Sequence, residues 1–172
     1  MKHIISVLLE NRFSAFSRVA TLFSGKGFNI QSISIGETEM PEISRMTLVT
    51  SGDDMIIGQV VKQLNRLIDT IKVVDLTQCS NVVRELALIT IGYQKGNRAE
   101  ITNVCSIFRG NIVDINNKTM TLEVTGPPDK IDAVINVLMP YGIKEIARSG
   151  TVALKRGEQI KSAKKDATFT QL

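Results

Sequence analysis

Apolar residues in this chain switch between two spacings in a fixed order, and that order occurs twice. Residues 3–9 form an apolar run suited to a strand. Over residues 15–26, Phe16, Val19, Ala20 and Phe23 recur at helical spacing. Residues 30–38 and 43–50 alternate with period two on either side of a Met40-Pro41-Glu42 turn. Ile57, Val60, Val61, Leu64 and Ile68 mark a second helix, and residues 71–76 a fourth strand. The pattern then repeats as a strand over 84–91, a helix over 97–108 and two strands, 111–115 and 119–125, around Asn116-Asn117-Lys118. Pro127-Pro128-Asp129 opens a helix faced by Ile131, Val134, Ile135 and Leu138, and a strand over 143–148 follows. A chain patterned in this way is α+β: two tandem ferredoxin-like βαββαβ units, each an antiparallel four-stranded sheet with two helices on one face. The expected division is 2–77, 82–158 and a polar basic tail over 159–172.

Turn chemistry agrees with these elements. Ser14 stands where its hydroxyl can accept a bond from a first-turn N–H, and Gly52-Asp53-Asp54 supplies the N-cap of the second helix. Gly27 and Gly110 stand where a left-handed residue closes a helix most cheaply. Units this small leave one sheet face bare, so a homodimer through the first unit is expected.

Charge and composition narrow the function classes. The 172 residues are 43% hydrophobic and 22% charged, which argues for a globular chain. No run reaches the roughly 20 apolar residues of a membrane span, and Met1-Lys2-His3-Ile4 does not open a signal peptide; a cytoplasmic protein is expected. Of the net charge of +4, the stretch from Lys155 onward supplies +3 (Lys155, Arg156, Lys161, Lys164 and Lys165 against Glu158 and Asp166), so the folded part carries no basic face for nucleic acid. RNA-binding modules of similar fold stack bases on strand aromatics, and residues 3–9 and 43–50 contain none.

No catalytic set is visible. His3 is the single histidine and reads as an edge-strand residue, which leaves Ser-His or Cys-His chemistry without a base. Cys105 lies on a core face and Cys79 in the connection, without metal-ligand spacing. Asp53-Asp54 reads as a cap, with cation binding as the other use of paired carboxylates. A binding module remains. Asn11 and Asn29, at the two mouths of the first helix, offer amide donors and acceptors. The N–H groups over residues 14–17 attract a carboxylate. Amide oxygens for an ammonium, helix N–H groups for a carboxylate and an apolar wall together suit an α-amino acid, bound where the loop after the first strand meets the second strand of a neighbouring copy.

Ser6-Val7-Leu8-Leu9-Glu10-Asn11, Ser17-Arg18-Val19, Leu22-Phe23 and Gly27-Phe28-Asn29-Ile30 resemble the ACT domain of the acetolactate (acetohydroxyacid) synthase small subunit. Ser44-Arg45-Met46-Thr47, residues 62–67, Arg84-Glu85-Leu86, Ile107-Phe108-Arg109-Gly110 and Ala147-Arg148-Ser149-Gly150 extend the likeness to about residue 160. The resemblance implies an N-terminal ACT domain, a C-terminal ACT-like domain and no cofactor in this chain. It also implies a large catalytic subunit as partner, which carries thiamine diphosphate, Mg²⁺ and usually FAD. The small subunit of such a pair raises that activity and confers feedback inhibition, typically by valine. The matching effector positions are Asn11, Ser14, Ala15, Asn29 and Ile30. The family commonly has glycine where this chain has Ser14, whose side chain would crowd an approaching carboxylate or bond to it. A stand-alone amino-acid-sensing regulator built from tandem ACT units is the alternative from another class.

Overall fold

The computed structural model describes residues 1–26, 28–93 and 96–157. The expected glycine stop at Gly27 and the tail over 159–172 lie outside them. The first sheet is built from β1 (Lys2–Glu10), β2 (Ile30–Glu37), β3 (Ile43–Ser51) and β4 (Thr70–Asp75), in the order β2-β3-β1-β4 with every neighbour antiparallel. Helices α1 (Ala15–Lys26) and α2 (Asp54–Leu64) cover one face. The second sheet holds β5 (Asn81–Gly92), β6 (Asn111–Ile115), β7 (Thr119–Gly126) and β8 (Ile143–Arg148) in the order β6-β7-β5-β8, with helices α3 (Arg98–Ile107) and α4 (Pro128–Leu138). The fold is the expected pair of tandem ferredoxin-like α+β units. Among the described residues no helix is long and apolar enough to cross a membrane.

Alternation along each strand fixes which face is dry. Ile5, Val7 and Leu9 of β1 and Met46 and Leu48 of β3 point at the helices and are sealed, each such side chain contributing roughly 1.5–3 kcal/mol. Against them α1 sets Ala15, Val19 and Phe23, spaced by four, and α2 sets Ile57, Val60 and Leu64. Of the face expected for α1, Val19 and Phe23 are buried, but Phe16 is 46% exposed. Ala15 takes the place of Phe16 because it, four residues before Val19, shares the 15-19-23 row. Ile68 also departs from expectation: α2 stops at Leu64 and Ile68 is exposed in the loop beyond.

A third departure is at the end of α3. Arg109, not Gly110, takes the left-handed conformation (φ 52°). The Gly110 N–H bonds the Cys105 carbonyl and the Arg109 N–H bonds Ser106, the double closure of a Schellman ending. Gly110 is required for proximity instead: a Cβ there would lie 2.9 Å from the Glu123 carbonyl oxygen and 3.1 Å from the Cys105 sulfur. Cys105 is buried, and burial pushes its thiol pKa up, as suits an inert core thiol.

The expectation of a fully bare face fails for the first sheet. A ninth strand, β9 (Val152–Lys155), pairs with the first four residues of β5, from Asn81 to Arg84. The resulting ribbon lies along the face of the first sheet opposite its helices, where Val82, Val152 and Leu154 share a groove with Ser34, Arg45 and Thr47. Val49 and Ala153 are sealed although neither belongs to a helix-facing core. β5 therefore serves two partners: its first third carries the ribbon, and the remainder is the central strand of the second sheet.

Replacing Gly110 with alanine should cost about 1–3 kcal/mol through overpacking between α3 and β7. Urea unfolding followed by circular dichroism measures it, and an unchanged midpoint would show that the close approach is not required.

Candidate effector site at the ends of the first sheet

Asn11 follows the last residue of β1, and its N–H donates to the Glu42 carbonyl at 2.7 Å. Its side-chain amide donates to Glu37 Oε1 at 3.3 Å and to the Pro41 carbonyl at 3.0 Å. Both amide hydrogens are thereby committed within the chain, and the amide oxygen is left as an acceptor for an ammonium. Nothing in the sequence singles out Glu37 or Pro41 as the partners that orient Asn11. They meet it only because β2 and β3 end together at this edge of the sheet.

Two residues further on, Phe13 is fully exposed, and Ser14 leads into α1. The Ser14 hydroxyl makes no hydrogen bond among the described residues, so the expected side-chain cap is absent; the Ser14 carbonyl accepts from Arg18 N–H instead. The loop turns back through Ala15 N–H to the Arg12 carbonyl, 3.2 Å. Within the described residues the N–H groups of Phe16 and Ser17 have no acceptor. They point outward at the positive end of the helix, which favours a carboxylate. Ala15 is buried, so it would offer a ligand backbone and not side chain. Arg18, one turn on, faces inward to the buried Asp69 carboxylate at 3.2 Å.

Asn29 and Ile30 lie elsewhere. Asn29 is exposed; its carbonyl accepts from Thr50 Oγ1 at 2.7 Å, and Ile30 is paired with Thr50 and half-buried against the core. Glu10, by contrast, is paired through β1 with Ile43. Thr50 lies seven positions along β3 from Ile43, about 23 Å at strand spacing. One chain brings Asn11, Ser14 and Ala15 to one end of the sheet and Asn29 and Ile30 to the other.

His3 departs from its expected place. It sits on β1, an inner strand, with 1% of its surface exposed. Its Nδ1 is 3.5 Å from Asp75 and its Nε2 3.8 Å from Asp54, and neither ring nitrogen is hydrogen-bonded. Strand order, which sequence periodicity does not encode, made it interior. Asp53 caps α2 as expected, accepting from Ile56 N–H at 2.8 Å, and Asp54 turns toward His3. Among the described residues no three His, Cys, Asp or Glu side chains gather as a metal site.

Comparison with known proteins accounts for both units. Residues 5–72 match the family described as the AHAS small subunit-like ACT domain, and residues 84–157 that described as the small subunit of acetolactate synthase. The acetolactate synthase small subunit of Aquifex aeolicus is 53% identical over 162 residues, 93% of this chain and 84% of that one. That of Mycolicibacterium smegmatis is 45% identical over 155 residues, covering 90% and 91%. The crystal structure of the acetolactate synthase small subunit from Thermotoga maritima superimposes with a TM-score of 0.84 at 38% identity, over 92% of this chain and 99% of that one.

The geometry of the first turn of α1 makes a specific demand. A capping serine loses about 1 kcal/mol on replacement by alanine, whereas Ser14→Ala here should stay within about 0.5 kcal/mol, because no cap bond is lost. Urea midpoints measure the difference, and a loss of a full kilocalorie would mean that the hydroxyl does close the helix.

Proposed function

The chain belongs to the acetolactate synthase small-subunit family, and on that footing we propose that it activates the large catalytic chain of acetolactate synthase and makes it subject to feedback inhibition by valine or another branched-chain amino acid. Thiamine diphosphate, Mg²⁺ and FAD belong, in this reading, to the catalytic partner. Residues 2–77 serve effector binding and dimerisation, and residues 82–158 the remainder of the regulatory task.

The observation that carries the effector reading is the placement of the candidate residues at opposite ends of β3. β2 is an edge strand, with one row of backbone N–H and C=O groups unpaired. A second copy laid antiparallel along that edge would bring its own Asn29 and Ile30 opposite Glu37, whose carboxylate already holds the Asn11 amide. Two equivalent sites then form about one two-fold axis. At each, the open N–H groups of Phe16 and Ser17 would take the effector carboxylate, and Asn11 Oδ1 with the partner's Asn29 its ammonium. The exposed Phe13 and Phe16 supply apolar surface beside it. Ser14 stands at the carboxylate end with an uncommitted hydroxyl, so it either bonds the effector or obstructs it.

Two measurements test this. Purified chain added to the large subunit should raise acetolactate production, and valine should then lower it; no effect of the chain on the large subunit would remove the proposal. Asn11→Ala and Asn29→Ala should each weaken valine binding at least about tenfold, the equivalent of one charge-assisted hydrogen bond of roughly 1.5–3 kcal/mol. Calorimetric affinities unchanged in both variants would mean that the site lies elsewhere.

A further inference from the structure

The turn between β8 and β9 touches β2 two residues beyond the effector wall. The Thr151 N–H donates to Ser32 Oγ at 3.0 Å, across 119 residues of sequence, and Thr151 itself is buried. Gly150 is seated against the same point of β2. Its φ of +75° is one that side chains rarely adopt, and a Cβ there would stand 2.7 Å from Ser32 Oγ and 3.1 Å from the Ile33 carbonyl oxygen. The second unit thus rests on the backbone of the strand that begins at Ile30.

On its other side this turn is fastened into the second sheet. Ser149 N–H donates to the Leu86 carbonyl at 2.9 Å, and Leu86 N–H returns a bond to Ser149 Oγ at 3.0 Å. Arg148 holds Glu85 with two nitrogens, at 2.6 and 2.9 Å, and Asp132 of α4 with the third, at 2.8 Å. The bonds to Glu85, foremost, and to Asp132 raise the guanidinium pKa further above its ordinary value, so Arg148 stays charged. β2, by contrast, is irregular at its start: its pairing with β3 shifts register between Ile30 and Ser32, so Ile30 is not held in the regular ladder that begins at Ser32. A displacement of Asn29 and Ile30 can therefore be taken up in β2 only as far as Ser32, where the strand meets a rigid part of the second unit.

We propose that the turn over residues 149–151, through the Ser32–Thr151 bond and the seat of Gly150 on β2, is the coupling contact by which effector occupancy at Asn29 and Ile30 is transmitted to the second unit. The inference rests on the effector reading above. It makes Ser32, Gly150 and Thr151 positioning residues: none touches the effector, and each sets how far the wall can move without moving the second sheet. Coupling of this kind is reciprocal, so loosening the turn lowers the effector's leverage on the catalytic chain while the effector's own contacts remain.

The test uses the reconstituted holoenzyme with wild-type small subunit, Ser32→Ala and Gly150→Ala, together with calorimetric titration of each small subunit with valine, leucine and isoleucine. Both variants should still bind the effector and still activate the large subunit, while inhibition at saturating effector falls to less than half its wild-type extent. A merely structural role would lower the unfolding midpoint and leave the saturating extent of inhibition unchanged; that result overturns the proposal. Should Gly150→Ala fail to fold, Ser32→Ala decides alone, since it removes a single acceptor from a half-buried strand position. A wild-type chain that binds none of the three amino acids fails at the titration, before inhibition is read, and removes the effector reading and this inference together.

Discussion

Antiparallel pairing of β3 with both β1 and β2 governs what this molecule can do with its polar residues. The pairing runs Glu10 beside Ile43 and Ile30 beside Thr50, so the loop that carries Asn11 and the one that carries Asn29 lie beside opposite ends of β3. No rotamer change closes a gap of about 23 Å. A single copy can offer helix N–H groups and one amide, or a second amide and an apolar wall, but not both around one small molecule. The same register brings Glu37 and the Pro41 carbonyl onto Asn11 and fixes which of its amide atoms is spare.

The second unit repeats the first in outline but differs in one strand. β5 is twelve residues long because it is shared, and its first four residues with β9 make a ribbon over the first sheet. That ribbon joins the units more firmly than a connection over residues 77–80 would by itself. It closes part of a face that a lone ferredoxin-like sheet leaves wet, and it sets the β8–β9 turn down on β2. The ion-paired Arg148 and the buried Glu85 lie directly behind that turn. The contact between the units therefore joins an apolar ribbon, with Val49 and Ala153 sealed, to a polar, geometrically specific turn at Gly150 and Thr151.

Elements with strong periodicity could be read from residues alone. α1 runs from Ala15 to Lys26 and β8 from Ile143 to Arg148, the bounds expected from spacing and turn residues. What could not be read depended on neighbours. β9 spans four residues with a mixed pattern, and its partner lies some 70 positions away. His3 looked like an edge residue because nothing in a run of apolar residues says which strands flank it. Phe16 and Ala15 are both apolar, and only the tilt of α1 on its sheet decides which one is covered. Of the candidate site, residue types and their loops were legible. Their division between two ends of a sheet was not, and neither was the absent cap at Ser14, since a free hydroxyl and a capping one have the same sequence.

The proposed completion of the site by a second copy bears on how the chain would respond to its surroundings. If each effector molecule is held between two protomers, ligand and partner stabilise one another by mass action. Dilution would weaken effector binding without any change in its contacts, and effector would hold together pairs that otherwise separate. The exposed Phe13 and Phe16 would return to water each time a pair parts, which favours reassociation over a lasting monomer. The response threshold would then follow the abundance of the small subunit itself as well as the level of the proposed effector.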